Sequence, residues 1–127
     1  MEDVPKHIKE DALWDIDIYR KALFLSDLAW QDCDAMLNQK LGKPAAWQLI
    51  RSAGSIPANM EQGYGRGFGK DYARFLRIAL GSARETRGWY YRGRRLFKAE
   101  VFNHRLNLLQ TIIADLVTMS IQQASRK

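Results

Sequence analysis

Between residues 66 and 95 the chain sets nine cations against two acids, Asp71 and Glu85. The cations are Arg66, Lys70, Arg74, Arg77, Arg84, Arg87, Arg92, Arg94 and Arg95, so all but one are arginine. Arginine offers a planar fork that grips a phosphate through two parallel hydrogen bonds, whereas lysine acts mainly as a point charge. Trp89, Tyr90 and Tyr91 add aromatic faces on which bases stack. On a helical wheel most of these cations lie opposite Phe75, Ala79 and Phe97, giving one apolar face and one arginine face. The backbone of RNA or DNA is the polyanion this pattern suits, with Arg74, Arg77, Arg84, Arg87, Arg92, Arg94 and Arg95 as the expected contacts. A second reading stands beside it. Residues 1–34 carry four cations and nine acids, so the same arginines can pair with acids inside the fold, on a neighbouring subunit or on a protein partner. Sequence-specific readout is not indicated, because zinc-finger spacing, an RNP-type strand and a basic-zipper heptad are all missing.

Other chemistry finds little support. Cys33 is the sole cysteine and His7 and His104 are the only histidines, so neither a disulfide framework nor a zinc cluster is expected. There is no nucleophile beside a base and no paired-carboxylate site, so the expectation is a non-enzyme with no catalytic residue, cofactor or metal. The run from Gly63 to Lys70 superficially resembles a phosphate-cradling loop, but Asp71 follows the lysine and no strand precedes it. It reads instead as a helix connection whose glycines permit positive φ.

The elements that carry these residues are legible from spacing. Ile18, Ala22, Leu25, Ala29, Cys33 and Met36 recur at intervals of three and four, one face of a first long helix. Ala46, Leu49, Ala53, Ile56, Met60 and Tyr64 mark a second, with Pro44 suited to its first turn. Tyr72, Phe75, Ala79, Ala83, Tyr90 and Phe97 mark a third, and Phe102, Leu106, Leu109, Ile113, Leu116 and Ser120 a fourth. The breaks fall at Gly42 to Pro44 and at the glycines 63, 65, 67 and 69. Four long helices with short connections predict an all-α, antiparallel up-and-down four-helix bundle. With 127 residues, 46% apolar and a net charge of +6, the chain has room for one domain over 1–127. No run is long and apolar enough to span a membrane and no signal peptide is evident, so the expected address is the cytoplasm.

Two helices carry more apolar surface than a bundle core uses. Tyr19, Leu23, Trp30 and Leu37 form a second stripe on the first helix, and Leu108, Ile112 and Met119 flank the main line of the fourth. Such surface predicts self-association, with the first stripe as the oligomer interface.

Residues 50–66 hold a compact motif built of Arg51, Ser55, Ile56, Pro57, Asn59, Met60, Glu61 and Gly63. Pro57 lacks an N–H and crowds the carbonyl of Ala53, so a bend or break is expected there, with Ser52, Ser55 and Asn59 available to the freed backbone groups. Ala53, Gly54 and Ala58, with Gly81, Ser82 and Ala83 opposite, are small enough for close helix approach, and Glu61 is expected to meet Arg51, Arg74 or Arg84. This motif, and the run from Phe75 to Glu85, resemble the bacterial proteins encoded in intervening sequences of 23S ribosomal RNA genes. The chain departs from that pattern at Glu61 and Gln62, where the family usually has Ala and Glu. The resemblance implies an antiparallel four-helix bundle assembling as a homopentamer, with no established biochemical activity. A related bundle family that accompanies reverse transcriptases contacts RNA, which lends analogy to the reading of the arginines.

Overall fold

The computed structural model describes residues 3–126. Met1 and Glu2, the latter one of the nine acids of residues 1–34, and Lys127 lie outside the described residues. A four-residue helix α1 (Lys6–Lys9) and a 3-10 turn (Ala12–Asp15) lead into four long helices. These are α2 (Asp17–Leu37), α3 (Lys43–Tyr64), α4 (Lys70–Arg92) and α5 (Ala99–Ala124), with a second 3-10 turn (Arg94–Leu96) before the last. No strand is present among the described residues.

Each helix neighbours the next in sequence, and α2 closes the bundle weakly against α5. The directions follow from the side-chain bonds. Tyr19 near the start of α2 meets Glu61 near the end of α3, Ser52 meets Thr86, and the amide of Gly69 donates to Gln123 Oε1 at 2.9 Å. All neighbours therefore run antiparallel, as connections of five or six residues require. The apolar stripes converge on one core in which Leu25, Met36, Leu49, Ile56, Met60, Leu76, Leu109 and Leu116 are fully buried. At about 25 cal/mol per Å² of apolar surface, burying such side chains is the main favourable contribution to folding.

Two local features fix how α3 and α4 meet. Gly67 and Gly69 take φ of +85° and +95°, so the turn between the helices uses conformations that side chains resist. Gly63 lies within α3, not in the connection, and sits against α4. A Cβ there would come within 2.8 Å of Phe75 Cβ and 2.9 Å of Tyr72 Cδ1. Gly54 and Gly81 do not share this role, since a Cβ at either meets nothing within 4 Å.

Several expectations change. α3 runs unbroken through Pro57, which is buried, and the Asn59 amide donates to the carbonyl and hydroxyl of Ser55 rather than to Ala53. The third long helix stops at Arg92, so Phe97, Arg94 and Arg95 belong to the segment after it. Gly93, with its amide bonded to the carbonyls of Trp89 and Tyr91, closes the helix there. On α5, Ile112 is fully buried and Leu108 and Met119 are half-buried against the core.

Candidate nucleic-acid interface

The expected arginines divide by position along α4. At its start Arg74 and Arg66 share Asp71, at 3.1 and 3.5 Å, and both lie over the Phe75 ring. Exposed pairs of this kind contribute little stability, but they reduce the local positive field. Further along, Arg77, Arg84, Arg87 and, on the 3-10 turn, Arg95 are exposed and have no ion-pair partner among the described residues. Arg92 donates to the carbonyl of Gly88 at 3.1 Å, with its guanidinium carbon 4.1 Å from the Trp89 ring centre. Arg94 donates to the carbonyl of Tyr91 at 2.9 Å and lies 4.2 Å over that ring. Glu85 is the one acid in this stretch. It is held by Arg51 from α3 and accepts from Trp89 Nε1 at 3.1 Å. The C-terminal half of α4 and the turn after it therefore carry five arginines, Arg84, Arg87, Arg92, Arg94 and Arg95, with the intervening carboxylate already occupied.

The motif of residues 50–66 lines the α3–α4 seam. Ser55 and Ser82 hydroxyls lie 2.9 Å apart, Thr86 donates to Ser52 at 3.0 Å, and Ile56 is fully buried. Glu61 meets none of the three arginines expected of it. It accepts a 2.6 Å bond from the Tyr19 hydroxyl instead, because antiparallel packing brings the end of α3 beside the start of α2. Burial, followed by this bond, pushes the Tyr19 phenol well above its ordinary range. Tyr19, only 5% exposed, is thus removed from the expected interface stripe, and Leu23 packs against the core.

Trp30 and Leu37 do face outward, at 64% and 54% exposure. With Cys33, Pro44, Trp47 and Ile50 they line an apolar groove of about 950 Å³ between α2 and α3. Trp47, 74% exposed, was not foreseen, although it precedes the core position Leu49 by two and so lies off the buried face. The sequence reading also missed a buried polar cluster. Arg105 of α5 grips Asp32 of α2, which in turn accepts from Tyr90 of α4 at 2.6 Å, while His104 Nδ1 lies 2.7 Å from the same guanidinium. The signal was available: Asp32 stands between Ala29 and Met36 and Arg105 four before Leu109, both at core spacing and of opposite sign.

Among the described residues no helix is long and apolar enough to cross a membrane, and no group of three or more His, Cys, Asp or Glu is placed to hold a metal ion. No curated protein matches the chain. A crystal structure of a protein with unknown function from the S23 ribosomal protein family of Bacteroides thetaiotaomicron is similar, with a TM-score of 0.76 at 23% identity. The alignment covers 81% of this chain and 97% of that one. That likeness speaks to the fold alone, and it is the four-helix arrangement that the two share. The model of the 23S rRNA-intervening sequence proteins matches residues 14–118, from the turn before α2 almost to the end of α5, and the chain belongs to that family.

Proposed function

We propose that the protein is a non-enzymatic, self-associating helical bundle that binds RNA through the exposed arginines of α4 and the turn after it. The observation that carries this reading is the group Arg77, Arg84, Arg87 and Arg95, exposed and unpaired among the described residues, beside Arg92 and Arg94 on their aromatic rings. Unpaired guanidinium groups on a helix surface neutralise phosphates and release the counterions condensed on them, which makes such binding salt-dependent. Anisotropy of a fluorescent structured RNA, titrated with salt, tests it. Affinity should fall log-linearly with salt, and Arg84→Glu with Arg87→Glu and Arg95→Glu should abolish binding in a folded protein. Unchanged affinity in that triple variant refutes the reading.

The α2–α3 groove supports the self-association and favours a second reading, a protein-interaction scaffold. In that reading the groove and the arginines engage a neighbouring copy or another protein, the arginines meeting acidic residues there. It predicts that Arg84→Ala with Arg87→Ala breaks the assembly on a sizing column, while no salt-sensitive RNA affinity is seen.

A further inference from the structure

The water-facing side of α5 is short of charge. From Asn103 to Gln122 its exposed positions hold no Asp, Glu, Lys or Arg, in a chain of which 27% is charged. The two charged residues in that span are turned away, Arg105 buried and Asp115 half-buried. Amides stand out instead, and those of Asn103, Asn107 and Gln110 are exposed without a hydrogen-bond partner among the described residues. We infer that these three amides extend the arginine surface across the seam between α4 and α5 and bind ribose hydroxyls, so that the site selects RNA over DNA. This deepens the reading above and rests on it.

Contacts elsewhere in the bundle place the amides beside the arginines. α4 faces α3 with Ser82 and Glu85, which meet Ser55 and Arg51. Arg84 and Arg87 each follow one of these by two residues, about 200° round the helix, and so lie on the flank away from α3. α5 faces α2 with Arg105, which grips Asp32. Asn103 and Asn107 stand two residues to either side of it, again about 200° round, and Gln110 continues their line seven residues after Asn103. Both rows therefore flank the seam where α4 and α5 pack on each other. The register follows from Tyr90 and Arg105, which share the Asp32 carboxylate. Arg87 is three residues before Tyr90 and Asn107 two after Arg105, while Arg84 is six before and Gln110 five after. In antiparallel helices each arginine is thus level with an amide.

Such a pairing suits a sugar–phosphate backbone. A guanidinium grips phosphate by charge, and an uncharged amide, both donor and acceptor, complements the ribose 2′-hydroxyl, which is also both. DNA offers the same phosphates and lacks that hydroxyl. Adjacent helices pack about 8–10 Å apart, so side chains from the two rows reach one strand. Depletion of charge marks surface that a partner covers. Arg84 and Arg87, unpaired among the described residues, make that partner a polyanion, and no exposed carboxylate of α5 repels it from Asn103 to Gln122.

The test is anisotropy of a fluorescein-labelled RNA hairpin against the DNA hairpin of the same sequence, with the full chain, over a series of salt concentrations. Wild type should bind the RNA at least about fivefold more tightly. Asn103→Ala with Asn107→Ala and Gln110→Ala should remove that preference, weakening RNA binding about 2- to 10-fold for each amide engaged, with the slope against salt kept. Circular dichroism should show full helical content, since alanine is favourable at exposed helix positions. Arg84→Ala with Arg87→Ala should instead weaken both nucleic acids and make the slope shallower by about two. The inference falls if wild type binds RNA and DNA equally, or if the amide variant loses both equally or neither; phosphate binding by the arginines then stands alone. It falls too if the amide variant changes only the mass of the assembly in light scattering, which assigns the α5 face to a protein contact. If wild type binds neither nucleic acid, the proposed function fails with it.

Discussion

Arg105 holds Asp32 with both carboxylate oxygens, Nε to Oδ2 at 2.8 Å and Nη2 to Oδ1 at 3.0 Å, across the least extensive contact of the bundle. Tyr90 completes the cluster from α4, so three helices are pinned at one buried point. Asp32 and Arg105 are 6% and 9% exposed, and a charge left alone there is costly. Arg105→Ala should therefore destabilise the fold by about 3–5 kcal/mol, measured by urea denaturation. Replacing both partners together, with Asp32→Leu and Arg105→Met, should cost much less than the single change, since no uncompensated charge remains. Equal losses in the single and double variants would show that the pair carries no such penalty.

The buried tyrosines make the fold sensitive to alkali. Burial first, then the bond and charge of Asp32, raise the Tyr90 phenol far above its ordinary value, and burial with Glu61 does the same for Tyr19. A group with a raised folded pKa stabilises fully below its unfolded value, about 10 for tyrosine, and that contribution is lost as pH climbs beyond it. Urea midpoints should be level up to about pH 10 and fall above it. Tyr90→Phe should lower the midpoint at pH 8 but flatten the alkaline fall. A wild type that is equally stable at pH 9 and pH 12 contradicts this.

Glycines in the two helices should respond in opposite directions. Gly63→Ala pushes a methyl group against Phe75 and Tyr72, and overpacking of this kind costs about 1–3 kcal/mol. Gly81→Ala meets open space in mid-helix and should gain about 0.5–1 kcal/mol by restricting the unfolded chain. Thermal melts of the two variants check both signs at once.

Cys33 should be a slow thiol. Burial, with the charges of Asp32 and Asp34 behind it, pushes it up to about 11, and its Sγ donates to the carbonyl of Ala46 at 3.1 Å. A rise of about two units over the ordinary value lowers the thiolate fraction about a hundredfold at neutral pH. Alkylation of the folded protein should be slower than that of a free cysteine peptide by at least this factor, and equal to it in denaturant. Fast labelling of the native chain would mean that the groove opens readily.

The groove itself is tested by Trp30→Glu, which sets a carboxylate beside Trp47 and Leu37. Light scattering on a sizing column should show a smaller assembly than wild type, with helical content kept. An assembly of unchanged mass would remove the groove from self-association.

Hydrophobic periodicity alone determined the four helices, their order and most of the core. It does so because each long helix must bury one face, and residues at intervals of three and four mark that face whatever lies opposite. Ile18 to Met36 and Ala46 to Met60 are buried at every position the stripes name. The charge segregation and the motif of residues 50–66 were legible for the same local reason. Partner choice across helices was not. Tyr19 and Trp30 lie on one side of the same helix, yet the first is sealed by Glu61 and the second is open, and only the packing of α3 on α2 separates them. Arg51 and Arg84 were both expected at Glu61, and the packing of α3 on α4 gives Arg51 to Glu85 and leaves Arg84 without an ion-pair partner among the described residues. Asp32 and Arg105, 73 residues apart, meet only where α2 packs on α5, with Tyr90 of a third helix donating to the same carboxylate. Spacing fixes which face of a helix is inside. The tertiary contacts fix which polar group on that face finds a partner, because a hydrogen bond depends on distances that sequence separation does not encode.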